Sequence, residues 1–269
     1  MTAGPAPTPA DRWGGGDAYE RYIGRWSRPV AVEFIAWLAV PPGARWLDVG
    51  CGTGALSSTI LDHAAPASVL GIDPATGFVE HARQAVRSER ARFEVGDAQA
   101  IDAAGATFDA AVSGLVLNFV PAPERAIAEM TRVTRMGGTV AFYLWDYAGE
   151  MQVLRTFWDA ARVLDPAVRA LDEGQRFPLC RPGPLAELAR AAGLSDVDHR
   201  AIDVPSRFTD FDDYWTPFLG GQGPAPTHVA SLDEPRREAL RKEVRSRLPI
   251  ATDGSIELVA RAWAVRGRR

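Results

Sequence analysis

Apolar positions in the first half of the chain fall into short continuous runs, and helical spacing fills the stretches between them. Trp46, Leu47 and Val49 read as a buried strand, followed by Gly50, Gly52 and Gly54 at alternate positions, before residues 53–63 open a helical pattern. Residues 67–73 form a second apolar run ending in Asp73, and 75–87 a helix expected to turn Phe78, Ala82 and Val86 inward. A third strand over 91–98 runs into a turn, and residues 108–114 are apolar almost throughout, as in a parallel sheet covered on both faces. A helix over 124–134, a stop at Gly137 and Gly138, and a fifth strand over 139–145 complete the alternation. Strand and helix in regular alternation predict an α/β, doubly wound, mostly parallel sheet.

The flanks read differently. Residues 1–12 hold three prolines and almost nothing to bury, so they are expected to be a disordered tail. A helix over 29–40 carries Val30, Phe34, Trp37 and Leu38 on one face. After Asp146, 151–164 is amphipathic, 182–192 is helical and 197–208 reads as a strand. Residues 255–265 alternate Ile256, Leu258, Ala260, Ala262 and Ala264 with larger or polar neighbours, the pattern of another strand. The main domain is therefore expected to comprise residues 13–204 and 255–269. The stretch 205–254 is an α-rich insertion, dense in aromatics and jointed at Gly220, Gly221 and Gly223, suited to cap a pocket. Its charged helix, 234–248, has favourable pairs at Glu238 with Lys242 and Glu243 with Arg247, so a solvated face is expected and an RNA-facing one is not.

With 269 residues, 46% hydrophobic and 24% charged, the chain can bury a full α/β core. A net charge of -4 gives no basic field, which disfavours a nucleic-acid partner. No apolar run approaches the roughly 18 residues of a membrane span, the start lacks a signal pattern, and Cys51 and Cys180 read as free thiols of a reducing compartment. A cytoplasmic enzyme is expected; its oligomeric state is left open.

The chemistry centres on the glycines after Val49. A strand, a tight turn and a helix with glycine at the crossing let a ligand lie on the backbone itself. Gly50, Gly52 and Ala55 satisfy the dinucleotide fingerprint, so a nicotinamide or flavin site is one reading. Asp48 opposes it, because a carboxylate at the strand tip repels a pyrophosphate and suits a ligand with an ammonium and a sulfonium. Asp73 ends the next strand, at about the 20-residue offset where such folds place a carboxylate on ribose hydroxyls.

The string Leu47-Asp-Val-Gly-Cys-Gly-Thr-Gly54 resembles the first motif of class I S-adenosylmethionine-dependent methyltransferases of the small-molecule type, and the likeness covers residues 17 to about 147. It implies a Rossmann-like seven-stranded sheet closed by a sixth strand, placed at 197–204, and an antiparallel seventh at 255–265. It implies S-adenosyl-L-methionine as cofactor, held by Asp48, Gly50, Cys51, Gly52, Gly54, Asp73, Pro74 and Ser113. Gly96-Asp-Ala98 is similar to the family's adenine motif, with Asp97 accepting from the exocyclic amine and the Ala98 N–H donating to the ring. The segment before the first strand folds over the cofactor in that family, making Tyr22, Arg25 and Trp26 candidates, with Arg25 reaching the methionine carboxylate. The alternative is that both aromatics are core and Arg25 is solvated.

Methyl transfer is an in-line displacement that needs mainly alignment and desolvation, so a general base is optional. Asn118 and Phe119 leave the fourth strand at its carboxyl end, where open α/β sheets bind ligands. With Trp145, Tyr147, Tyr214 and Trp215 they are the candidate walls for a small-molecule acceptor. Asn118 and His228 are the candidates for proton transfer. The Asn-Pro-Pro-aromatic signature of base-amine methyltransferases is absent, and Cys180 follows Leu179, not a proline. A methyltransferase-like enzyme using the cofactor for another reaction, a noncatalytic partner subunit and a nicotinamide oxidoreductase remain as alternatives.

Overall fold

The computed structural model describes residues 25–220 and 223–269. Helix α1, Arg25–Leu38, starts before the proline expected to open it and carries Pro29 within it; Val30, Phe34 and Leu38 are buried. Strand β1, Arg45–Val49, buries every residue after Arg45. Helix α2, Ala55–His63, begins after Gly54, whose φ of 88° places it outside the helix. Strand β2, Ser68–Asp73, helix α3, Thr76–Ala85, and strand β3, Ala91–Val95, follow. In α3 the buried residues are Val79 and Ala82, while Phe78 is half-buried; the helix is turned by one position from the face expected.

Strand β4, Phe108–Gly114, leads into helix α4, Pro123–Val133, and strand β5, Thr134–Trp145. The strand was expected to start at Thr139, after a glycine stop. Instead α4 ends directly in β5, and a register shift opposite Phe108 and Ala110 absorbs residues 135–138. The Thr134 hydroxyl donates to the Met130 carbonyl at 2.7 Å, closing the helix without the glycines. Helices α5, Gln152–Leu164, α6, Glu173–Arg176, and α7, Pro182–Ala191, precede strand β6, Ser195–Phe208. Then come α8, Phe211–Trp215, α9, Pro224–Ser231, α10, Glu234–Arg247, and strand β7, Ile256–Arg268.

The sheet order is β3-β2-β1-β4-β5-β7-β6, parallel except for β7, which runs antiparallel to both β5 and β6. The chain walks outward from β1 to β3 and returns to pair β4 on the other side of β1. The crevice at that reversal is where open α/β sheets hold ligands. No helix among the described residues is long and apolar enough to cross a membrane. The expected pairs on α10 form, Glu238 with Lys242 at 3.6 Å and Glu243 with Arg247 at 2.8 Å.

The helices of the insertion lie between β6 and β7 and share the main core. β6 continues past Val204 to Phe208, and the segment beyond it packs into the main core. Trp26 of α1 meets Phe208 edge-on at 6.0 Å, Phe208 meets Tyr214 at 5.2 Å, Tyr214 meets Phe218 at 5.4 Å, and Phe218 stacks on Phe157 of α5 at 4.7 Å. The Tyr214 hydroxyl donates to the Val153 carbonyl at 2.8 Å. Trp215 is 4% exposed between Phe211 and Phe218. Trp215 and its neighbouring rings are buried in the core, and truncating a buried ring leaves a cavity. Trp215→Ala should therefore lower unfolding stability by about 3–5 kcal/mol. Urea denaturation followed by circular dichroism should show a lower midpoint; an unchanged midpoint would return Trp215 to a lid.

Candidate functional site

β1 delivers the chain at Val49 to a loop that must enter α2 at Ala55. Gly50 has φ +74° and its Cα faces Val116, whose side-chain carbon would lie 2.5 Å from a Cβ there. Gly52 has φ +52° and nothing within 4 Å of where a Cβ would sit, so its open side faces the cavity it lines. Both conformations favour glycine, and the second leaves room for a ligand against the backbone. The loop is pinned from the neighbouring strand. The Gly52 N–H donates to Asp73 Oδ2 at 3.0 Å, and the Ala75 N–H donates to Asp73 Oδ1 at 2.9 Å. One carboxylate thus ties the glycine loop to the start of α3.

The cavity between these loops and the ends of β4 and β5 measures about 540 Å³. That is within the range of about 300–1,000 Å³ typical of small-molecule sites. Asp48, Gly50, Cys51, Gly52, Asp73 and Pro74 line one side. Asp97, Ala98 and Phe119 also face it, so nine of the residues singled out by sequence meet in one place. Asp97 Oδ1 accepts from the Gln99 backbone N–H at 2.8 Å, which shapes the turn after β3.

Asp48 is 1% exposed. Its Oδ2 accepts from the Ser57 hydroxyl at 2.7 Å, and its Oδ1 has no partner among the described residues. Burial pushes its carboxyl up to about 7; the Ser57 hydrogen bond lowers it and the nearby Asp73 charge raises it. Asp73 is also raised by burial, against the pull of the Ala75 and Gly52 N–H groups. Burial pushes the Cys51 thiol far up, with Asp48 and Asp73 adding to it, so Cys51 is a wall and not a nucleophile.

Among the described residues, the other candidates do not line the cavity. Gly54 faces Val86, just past the end of α3, and lies outside the cavity lining; a Cβ there would meet Val86 at 2.9 Å. The Ser113 hydroxyl donates to the Val49 carbonyl at 2.8 Å, joining β4 to β1 beneath the loop. Arg25 turns away: its guanidinium meets Asp213 at 3.3 Å, donates to the Arg207 carbonyl at 3.0 Å and lies 4.9 Å from the Phe208 ring centre. Trp26 is core, and Tyr22 lies outside the described residues. Trp145 is buried, and Tyr147 packs against Phe177 at 5.9 Å; neither lines the cavity. Tyr214 and Trp215 belong to the aromatic core already described. His228 sits 6.0 Å from the Trp158 ring and 6.4 Å from that of Phe157, with burial lowering its pKa, away from the cavity. Asn118 occupies the single turn Leu117–Phe119 with its Nδ2 buried and unpartnered among the described residues, while its neighbour Phe119 does the lining.

Sequence reasoning missed Phe78, Leu115, Val116 and Tyr143, which also line the cavity. Tyr143 lies in an all-apolar strand whose pattern does not assign faces; its register partner is Gly114, and a Cβ there would sit 2.6 Å from the Tyr143 hydroxyl. Only a glycine at 114 gives that hydroxyl its place. Leu115 has φ +63°, a conformation that costs about 1–2 kcal/mol in a residue with a Cβ, and its N–H donates to the Tyr143 carbonyl at 2.8 Å. No sequence pattern announces that bend.

A glycine loop over β1, a carboxylate closing β2 and a turn after β3 that faces the same cavity define an α/β enzyme with a nucleoside-type ligand at its topological switch point. A family model described as a methyltransferase domain matches residues 47–142. The chain is 33% identical over 185 residues to a demethylmenaquinone methyltransferase of Roseiflexus castenholzii (strain DSM 13941 / HLO8), covering 62% of this chain and 75% of that protein. It is 26% identical over 238 residues to a trans-aconitate 2-methyltransferase of Variovorax paradoxus (strain S110), covering 88% and 90%. A solved Haemonchus contortus phosphoethanolamine N-methyltransferase 2 in complex with S-adenosyl-L-methionine shares the fold with a TM-score of 0.58 at 16% identity, over 94% of this chain and 56% of that one. The chain belongs to the class I S-adenosylmethionine-dependent methyltransferases. It is a methyltransferase with S-adenosyl-L-methionine as cofactor.

Asp48 gives the site a pH signature. Its carboxyl is raised in the folded protein relative to the ordinary carboxylate range, so the native state holds the extra proton and stability falls as pH rises from about 4 to about 7. Asp48→Asn removes that slope, roughly 1.4 kcal/mol per pH unit where the two states differ by a full proton. Denaturation midpoints should show the variant gaining on the wild type between pH 5 and pH 8; a constant difference would show that Asp48 is ionised throughout.

Proposed function

We propose that this chain methylates a small-molecule acceptor, and that it acts mainly by aligning the acceptor for in-line attack and excluding water. The observation that carries the reading is the tie between Asp73 and the Gly52 N–H, which holds an open glycine backbone at the mouth of β1 beside a buried carboxylate with one oxygen unpartnered among the described residues. These residues fit S-adenosylmethionine. Asp48 Oδ1 is an acceptor for its ammonium, Asp73 for its ribose hydroxyls, and the space over Gly52 admits a chain that a side chain would block. The cofactor supplies an electrophilic methyl on a sulfonium.

This chain's part is positional. Held geometry can supply about 7–11 kcal/mol of a barrier by itself, which suits a cavity lined on the acceptor side by apolar side chains and by hydroxyls of Ser27 and Tyr143. No histidine, lysine or acidic side chain lines that side among the described residues. The small-molecule reading is supported by the curated relatives, named for demethylmenaquinone and trans-aconitate.

Calorimetry tests the cofactor arrangement. S-adenosylhomocysteine should bind and NAD should not. Asp73→Ala should weaken S-adenosylhomocysteine binding by about 1–3 kcal/mol, the scale for a hydrogen bond to a charged group, and Gly52→Val should abolish it. Unchanged affinity in the Asp73 variant would show that the ribose is held elsewhere.

A further inference from the structure

The acceptor side of the cavity has a chemical character of its own. Three carboxylates line the cavity, those of Asp48, Asp73 and Asp97, all on the loops assigned above to the cofactor. Among the described residues, no lysine, arginine or histidine lines it. Arg25 is held by Asp213 and the Arg207 carbonyl, and Arg176 lies over the Phe177 ring at 5.0 Å. The rest of the lining is uncharged and mostly apolar: Leu115, Val116, Phe119, Val120 and Pro121, with the rings of Phe78 and Tyr143 and the hydroxyl of Ser27. Phe119 is backed edge-on by Phe177 at 5.3 Å, which fixes a flat wall.

An anionic group moved into this space loses its water, gains no counter-charge from the described residues and shares the cavity with the carboxylates of Asp73 and Asp97. Each of those effects opposes binding. A flat uncharged ring loses little on leaving water and gains contact with three aromatic faces. We propose that the acceptor is an uncharged apolar ring compound carrying its nucleophile as a neutral hydroxyl or amine, and that carboxylate and phosphate acceptors are excluded. This rests on the methyltransferase reading for which part of the cavity is the cofactor's. It separates the chain from its trans-aconitate-named relative, although that one aligns over more of its length.

The test uses a matched pair of probes on the full-length protein at pH 7: 2-naphthol, neutral, and 2-naphthoate, with the same ring and a carboxylate. Titration calorimetry is run with and without saturating S-adenosylhomocysteine, and trans-aconitate is the third probe. Expected is 2-naphthol binding at least about ten-fold tighter than 2-naphthoate, with no heat from trans-aconitate. Phe119→Arg, which sets a cation on the flat wall, should bring the pair to parity or reverse it. Equal or tighter binding of 2-naphthoate by the wild type, measurable trans-aconitate binding, or no 2-naphthol binding in either state would overturn the proposal. Failure of S-adenosylhomocysteine to bind would instead overturn the cofactor arrangement, since the order of the probes is read without it as well.

Discussion

The structure depends on one carboxylate bridging two backbone segments. Asp73 accepts from the Gly52 N–H on one side and the Ala75 N–H on the other, and so fixes the crossing between β1 and α2 against the crossing between β2 and α3. Without that bridge a loop of small residues would be free to collapse into the cavity it borders. Gly50 admits Val116 at van der Waals range and Gly52 keeps its outer side clear, so the loop is rigid where it touches protein and bare where it touches space. Ser113 completes the arrangement from below by donating to the Val49 carbonyl.

From this base the electrostatics follow. Two carboxylates lie close together at the ends of adjacent parallel strands, both raised by burial, one with an oxygen unpartnered among the described residues. Such an arrangement is costly in the free protein and becomes favourable with a cation beside it. The opposite wall contributes no charge, so polarity in the cavity runs from acidic at β1 and β2 to apolar beyond β4.

Most of the sheet was legible in the sequence because a parallel strand covered on both faces leaves a continuous apolar run, as in residues 108–114. The glycine loop, Asp48, Asp73 and Asp97 were legible because backbone chemistry at a switch point restricts residue type. The aromatic segment after Phe208 misled because ring-rich composition is the same for a lid and for a core; only the chain of contacts from Trp26 through Phe208 and Tyr214 to Phe157 distinguishes them. Arg25 misled for a related reason, since its partners Asp213 and Arg207 lie far along the chain and no local pattern joins them. Tyr143 escaped notice because it stands in a strand with no alternation, and its access depends on a glycine on the adjacent strand.

A crystal structure of the protein with S-adenosylhomocysteine tests the central claim most directly. The account places the ribose on Asp73, the amino group on the free oxygen of Asp48 and the adenine beside Asp97 and Ala98, with the loop backbone unmoved. A ligand bound outside this cavity, or a ribose turned away from Asp73 with the Gly52 contact intact, would contradict it.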